Sequence, residues 1–227
     1  MHNDRTPQTV LGTLVDRAVC MPYAKPQVLR RGCRRQRDED LGKWKTVAPI
    51  SEDAAAAAEF LVTILTESSA DSRWSKAELA LDPGGPWWAK PRDDFFQLDT
   101  DARTWVLDRL QVTAVRAATC IEDVAVARDW AWLWSQPPFA SPGKLRPSIT
   151  QPDLIGGMDW KHCDVIDLKT TGKDDLRAVV KSDQAKAFGS WVTSLRRMGF
   201  TPEHCWVLAV STTDNRHEWI EFPVQDQ

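Results

Sequence analysis

Tyrosine is nearly absent from this chain, occurring once in 227 residues against twelve tryptophans. Cysteine is sparse, and its pattern excludes more than it suggests. Cys20, Cys33, Cys120, Cys163 and Cys205 are odd in number, and no pair has C-x-x-C spacing. That argues against a disulfide framework and against a zinc ribbon. Reduced, mostly buried thiols are the expectation. The histidines, His2, His162, His204 and His217, show no H-x-x-x-H pairing, and His162 reads as a surface residue in a turn. No G-x-x-x-x-G-K-S/T segment is present, so a P-loop nucleotide site is not expected. No apolar run approaches the roughly 18 residues of a membrane helix. The opening "MHNDRTPQTV" lacks the basic-then-apolar order of a secretory signal. A cytoplasmic protein with no membrane partner is therefore expected.

Strong net charge is missing too. Twenty-nine Lys and Arg against 32 Asp and Glu leave −3, which advertises no general affinity for polyanions. The charge is uneven, however. "KPQVLRRGCRRQR", Lys25 to Arg37, carries six basic residues and no acid. It reads either as a solvated arm or as a phosphate-contacting patch built on Arg30, Arg31, Arg34 and Arg35. A hydrophobic content of 42% and a charged content of 27% are ordinary for a globular chain of one mid-sized domain, or a core domain with a subdomain. Trp87 and Trp88, in the turn-rich "DPGGPWWAKP", are the candidates for exposed stacking residues among tryptophans otherwise expected to fill the core.

A short helix is expected over Thr9–Val19. Ser51 can cap a second helix through Glu67, with Glu52 and Asp53 at its positive end and five alanines, 54 to 58, favouring it. Residues 80–98 hold Pro83, Gly84, Gly85, Pro86 and Pro91 and read as a long turn-rich connection. Thr100 can cap a helix over 101–119. Val124, Val126, Trp130, Trp132 and Trp134 then alternate, which predicts a strand bent near Arg128. Two short strands surround "GGMDWKH". Ser182 or Asp183 can cap a helix bearing Phe188, Trp191, Val192, Leu195 and Met198 on one face, stopped by Gly199. "CWVLAVST" and "EWIEFPV" read as closing strands. This order predicts an α/β or α+β sheet with helices on its faces. A mainly helical, partly basic region over 1–98 would precede a core over 99–227.

The stretch "QPDLIGGMDWKHCDVIDLKTTG" carries the chemistry. If 152–158 and 163–169 form a hairpin turning near Trp160, opposite residues have numbers summing to 320, which places Asp153 across from Asp167. Their Cβ atoms would lie about 5 Å apart. Lys169, two residues on, shares the face of Asp167, while Ile166 and Leu168 turn to the other. Two hard oxygen ligands suit Mg²⁺, with the Leu168 carbonyl as a third donor. A lysine beside such an ion can hold or help deprotonate a water attacking a phosphate.

"PDLIGG…VIDLKTT" resembles the PD-(D/E)XK nuclease superfamily, in particular its RecB-like branch, over residues 120–211. The resemblance implies a restriction-endonuclease-like mixed sheet flanked by helices. It implies Asp153 and Asp167 as metal ligands and Lys169 as the catalytic lysine of a Mg²⁺-dependent deoxyribonuclease, with Mn²⁺ able to substitute. Members of the branch carry an upstream acid at a strand start, and Glu122 is the position matched to it. A Q-x-x-x-Y helix start is half present as Gln184 and Phe188, which makes Gln184 a further catalytic candidate. The chain has no late cysteine cluster, so no iron–sulfur centre is expected, and any strand opening would come from a helicase or other partner. The competing expectation is a nuclease-like protein that binds nucleic acid or a protein without cutting.

Overall fold

A computed structural model of the chain describes residues 6–29, 34–37, 44–47, 50–69, 73–81, 86–137 and 151–224. The first helix, α1 (Pro7–Cys20), starts where the Thr6 side chain accepts a hydrogen bond from the Thr9 amide, with Pro7 in the first turn. Val10, Leu11, Leu14, Val15, Ala18 and Val19 form its buried stripe. After a 3₁₀ turn at Met21–Tyr23 come β1 (Gln27–Val28) and a separate ribbon of β2 (Arg34–Arg37) and β3 (Trp44–Val47). The helix expected from Ser51 is α2 (Ile50–Glu67).

The turn-rich reading of 80–98 is corrected. Lys76–Leu81 forms α3 and Pro86–Phe96 forms α4, with Pro91 inside the helix. Proline weakens a helix interior by removing a donor. Here burial overrides that cost. Trp88 and Phe95 are wholly buried, and the Arg92 Nε donates to Glu78 Oε1 at 2.7 Å in the interior. Trp88 is thus a core residue and not a stacking platform, while the Trp87 side chain lies outside the described residues.

The strand expected from Val124 onward is also corrected. Residues Thr100–Ala127 form one 28-residue helix, α5, capped by the Asp99 side chain rather than by Thr100. Its buried positions Val106, Leu110, Ala114, Ala117, Ile121 and Ala125 keep a helical period to the end. The even-numbered valines lie on that helix. The chain leaves it through Asp129 at φ 50°, a left-handed conformation that aspartate tolerates, and the Trp130 amide donates to the Ala125 carbonyl at 2.8 Å.

Strands β4 (Trp132–Ser135), β5 (Leu154–Gly157), β6 (His162–Thr171), β7 (Thr201–Ser211) and β8 (His217–Phe222) follow, with α6 (Gln184–Arg197) between β6 and β7. Gly199, at φ 91°, ends α6 as expected. Met198 sits at the end of that helix, 44% exposed, rather than on its apolar face. Among the described residues the main sheet runs β1-β4-β5-β6-β7-β8, antiparallel except for the β6–β7 pair, which α6 connects. The β5–β6 register is Leu154↔Ile166, Ile155↔Val165 and Gly156↔Asp164, so each pair has the expected sum.

The fold is therefore α/β, a mixed sheet flanked by helices behind a mainly helical N-terminal part. Period-two alternation divides the strand side chains between two cores. Leu154, Ile166, Leu168, Leu208 and Val210 pack with α1, α2 and α5 on one face, and Ile155, Val165 and Val207 pack with Phe188, Trp191 and Leu195 of α6 on the other. Cys20, Cys120, Cys163 and Cys205 are free and buried. No described helix is long and apolar enough to cross a membrane.

Candidate active site

Strand β6 delivers Asp167 and Lys169 to the α6 side of the sheet, and Asp153 stands one residue before β5. The expected convergence is present. Lys169 Nζ lies 2.6 Å from Asp167 Oδ2 and 3.9 Å from Asp153 Oδ2. Asp153 Oδ2 accepts from the Leu168 amide at 2.7 Å, which pins the carboxylate to the middle of the opposite strand. The Leu168 carbonyl accepts from Lys169 Nζ at 3.3 Å, so it too faces the cluster. Gln184, buried in the first turn of α6, donates through Nε2 to Asp167 Oδ2 at 3.1 Å. Gln184 and Lys169 thus hold the same oxygen of Asp167.

Glu122, the expected upstream acid, is not among the residues gathered at the cleft. That residue lies mid-helix in α5, and its Oε2 accepts from the Ser51 amide at 2.9 Å and from the Ser51 hydroxyl at 2.5 Å, capping the start of α2. It does not line the cleft over Asp153 and Lys169. The acid that does is Asp16 of α1, which lines the cleft with Asp153 and accepts from the Cys20 thiol at 3.3 Å. Helix α1 reaches this position by passing very close to β6. A Cβ on Gly12 would come within 2.5 Å of Thr170 Oγ1. The sequence signal for Asp16 is an acid beside the buried apolar stripe of α1, where an ionised side chain needs partners.

Three carboxylates thus face one ammonium in a largely buried setting. The Asp16 and Asp153 side chains are only 20% and 16% exposed. Burial, reinforced by the Asp16 and Asp167 charges, pushes Asp153 well above the usual carboxylate range, against the pull of Lys169 and the Leu168 amide. Burial likewise raises Asp16, although Arg17, the Cys20 thiol and Lys169 oppose it. Burial alone would lower Lys169, yet the anions Asp153, Asp167 and Asp16 outweigh it and raise its pKa, so the amine is an ammonium at neutral pH. Fully ionised, the cluster would carry more negative charge than its own cation balances. Its donors are hard oxygens, the set that suits Mg²⁺ or Mn²⁺. Asp16, Asp153, Asp167 and the Leu168 carbonyl supply such oxygens, although the three carboxylates do not lie within 4.8 Å of one another as one group. The site opens into a cleft of about 740 Å³.

A second acidic group, Asp164, Glu203 and His204, has potential ligand atoms within 4.8 Å of one another. A cation of the chain already stands among them. Arg128 Nε donates to Asp164, its Nη2 donates to Glu203 at 2.8 Å, and His204 Nδ1 pairs with Glu221 at 2.8 Å. We read this group as an ion-pair network tying α5 to β6 and β7. His162, at the hairpin, pairs with Asp159. Of the basic segment, Arg30 and Arg31 lie outside the described residues. Arg34 and Arg35 lie on β2, paired in register with Val47 and Thr46, and their side chains are outside the described set. Comparison with protein-family models, with curated proteins and with solved structures finds no match for this chain.

Proposed function

We propose that this chain is a divalent-cation-dependent nuclease of the PD-(D/E)XK superfamily, RecB-like branch, with a restriction-endonuclease-like fold, hydrolysing phosphodiester bonds in DNA. The observation that carries the reading is the meeting of Asp16, Asp153 and Lys169 at one cleft, with Asp167 buried against Lys169 and Gln184 bonded to Asp167. These residues come from α1, the β5–β6 hairpin and α6, and a hairpin of chance surface charges would not recruit the other two elements.

Asp153, Asp167, Asp16 and the Leu168 carbonyl would hold the ion. When bound, a divalent ion supplies Lewis acidity toward a phosphoryl oxygen and lowers the pKa of a coordinated water. Gln184 keeps Asp167 turned toward Lys169. Lys169, one-third exposed at the cleft, offers its ammonium protons to the incoming water and to a phosphate oxygen, stabilising charge that grows as the bond breaks.

The test is incubation with linear, circular and single-stranded DNA, with EDTA, Mg²⁺ or Mn²⁺, comparing the wild type with Asp153→Ala and Asp167→Ala. Fragments that require the ion and vanish in both variants support the reading. Binding without fragments under every condition would mean a nuclease-like protein that does not cut.

A further inference from the structure

We infer that Gln136 is a positioning residue of the ion site: its side chain holds the Arg17 guanidinium back from Asp16, so that this carboxylate stays available to a divalent cation. The inference rests on the ion-binding part of the nuclease reading, and it concerns what keeps the chain's own arginine from closing the site.

Asp16 and Arg17 are consecutive on α1, and consecutive helical side chains do not face one another. The length of the arginine nevertheless brings Nη1 to 4.0 Å from Asp16 Oδ2, just beyond hydrogen-bonding reach. A small turn of the guanidinium would close that gap, and guanidinium–carboxylate hydrogen bonds are among the strong ones. Both side chains are largely buried, so their attraction is little screened. The gap stays open because the same nitrogen donates to Gln136 Oε1 at 3.1 Å.

Gln136 follows β4 directly, and the end of β4 is tied to the site twice. The Gln136 amide donates to the Asp153 carbonyl at 3.1 Å, and the Ser135 hydroxyl donates to the carbonyl of Cys20, at the end of α1, at 2.6 Å. The Gln136 backbone sits at φ 44°, a left-handed conformation that glutamine seldom adopts and glycine adopts readily. Glycine would supply the amide to Asp153 equally well. What glutamine adds, against that strain, is the acceptor for Arg17. Neither Arg17 nor Gln136 lines the cleft. The glutamine therefore acts through Asp16 and not on a ligand.

The experiment measures Mn²⁺ affinity of the full chain without nucleic acid, from the loss of the free-ion paramagnetic resonance signal. Wild type is compared with Gln136→Gly, Gln136→Met, Arg17→Ala and the Gln136→Gly/Arg17→Ala pair, with thermal melts in EDTA to verify folding. Gln136→Gly relieves the backbone and keeps the amide, while Gln136→Met keeps the length without the acceptor. Either change releases Arg17 toward Asp16 and should weaken Mn²⁺ binding about tenfold. Arg17→Ala should bind at least as tightly as the wild type, and adding it to Gln136→Gly should restore at least wild-type affinity. A glutamine that only supported the fold would not be rescued by deleting an arginine. Unchanged affinity in the folded glutamine variants overturns the inference, as does a double variant as weak as Gln136→Gly, or failure of both glutamine variants to fold. A wild type that takes up no Mn²⁺ overturns it too. DNA cleavage by the wild type alongside unchanged affinity in Gln136→Gly would leave the nuclease reading standing without this inference. The expected loss and rescue, with no cleavage of DNA in Mg²⁺ or Mn²⁺, would instead sink the nuclease reading and leave the role of Gln136 in place.

Discussion

Asp16→Asn should make the ion-free protein more stable and its response to ions weaker. Asp16 and Asp153 are carboxyl groups lining one largely buried site, and burial first of all raises the pKa of both above the usual carboxylate range. A raised carboxylate pKa in the folded state means that the native protein holds protons which the unfolded chain has released. Stability contributed by the protonated pair is complete below the unfolded pKa of about 4 and is lost as pH climbs through the raised folded values. The ion-free protein therefore carries a penalty that grows as pH rises. Two unit charges about 4 Å apart repel by about 4 kcal/mol at an effective dielectric of 20. The Lys169 ammonium and exposure to solvent offset part of that, leaving a gain of about 2 kcal/mol when one carboxylate becomes an amide. For a chain of this length that is a rise of about 4–8 °C in Tm. Asparagine keeps the shape and can still accept from the Cys20 thiol, so the packing of α1 is preserved.

The assay is thermal unfolding in EDTA and in Mn²⁺, between pH 5 and 8. In EDTA the variant should melt above the wild type, and the gap should widen with pH. In Mn²⁺ the wild type should gain stability by mass action, about 2.7 kcal/mol at a hundred times Kd. The variant, lacking one anionic ligand, should gain less than half of that. A variant that melts below the wild type in EDTA, or responds to Mn²⁺ just as fully, refutes the placement of Asp16 among the ion-binding carboxylates.

Lys169→Ala should leave ion affinity near the wild-type value in calorimetry while lowering the cleavage rate at least a hundredfold, about 3 kcal/mol of barrier; cleavage at the normal rate would make Lys169 a mere surface charge. Glu122→Gln should weaken the cap on the Ser51 amide and cost about 1 kcal/mol in denaturant unfolding, with an unchanged Mn²⁺-induced Tm shift; loss of that shift would return Glu122 to the site. Neutralising Arg30, Arg31, Arg34 and Arg35 together should weaken binding to duplex DNA about equally for all sequences and flatten its salt dependence by up to about 0.9 per lost phosphate contact. An unchanged slope would assign those arginines to some other task.

The hairpin part of the site is legible from sequence because few degrees of freedom separate the residues from their positions. A tight turn and a period of two fix which residues oppose one another, so Asp153, Asp167 and Lys169 are placed once the turn is centred near Trp160. Gln184 is legible for a similar reason: it occupies the first turn of a helix whose Phe188, Trp191 and Leu195 stripe points it at the sheet. Where local pattern and tertiary burial compete, the pattern misleads. Prolines suggest a loop across a helix that Trp88, Phe95 and Arg92 bury into place, and short β-branched residues at 124 and 126 imitate a strand at the end of α5.

Asp16 and Glu122 show where sequence reading stops. Both are acids upstream of the hairpin, and proximity to the motif favours Glu122. What separates them is the surface that each helix presents. Gly12, Asp16 and Cys20 recur every four residues and so stack on one stripe of α1. That stripe runs along the site: Gly12 against the Thr170 hydroxyl, Asp16 lining the cleft with Asp153, and the Cys20 thiol 3.5 Å from the Asp153 carbonyl. A glycine, an acid and a thiol in register, beside the apolar stripe of a buried helix, make a poor core but a workable wall for a charged cleft. Glu122 has no such companions and meets a free helix end, where a carboxylate is stabilised by the orphan amides. The distinction depends on which element lies across the sheet at the level of Asp153, a matter of packing between segments far apart in the chain. The stripe is visible in the sequence, but its direction becomes known only when α1 is laid against β6.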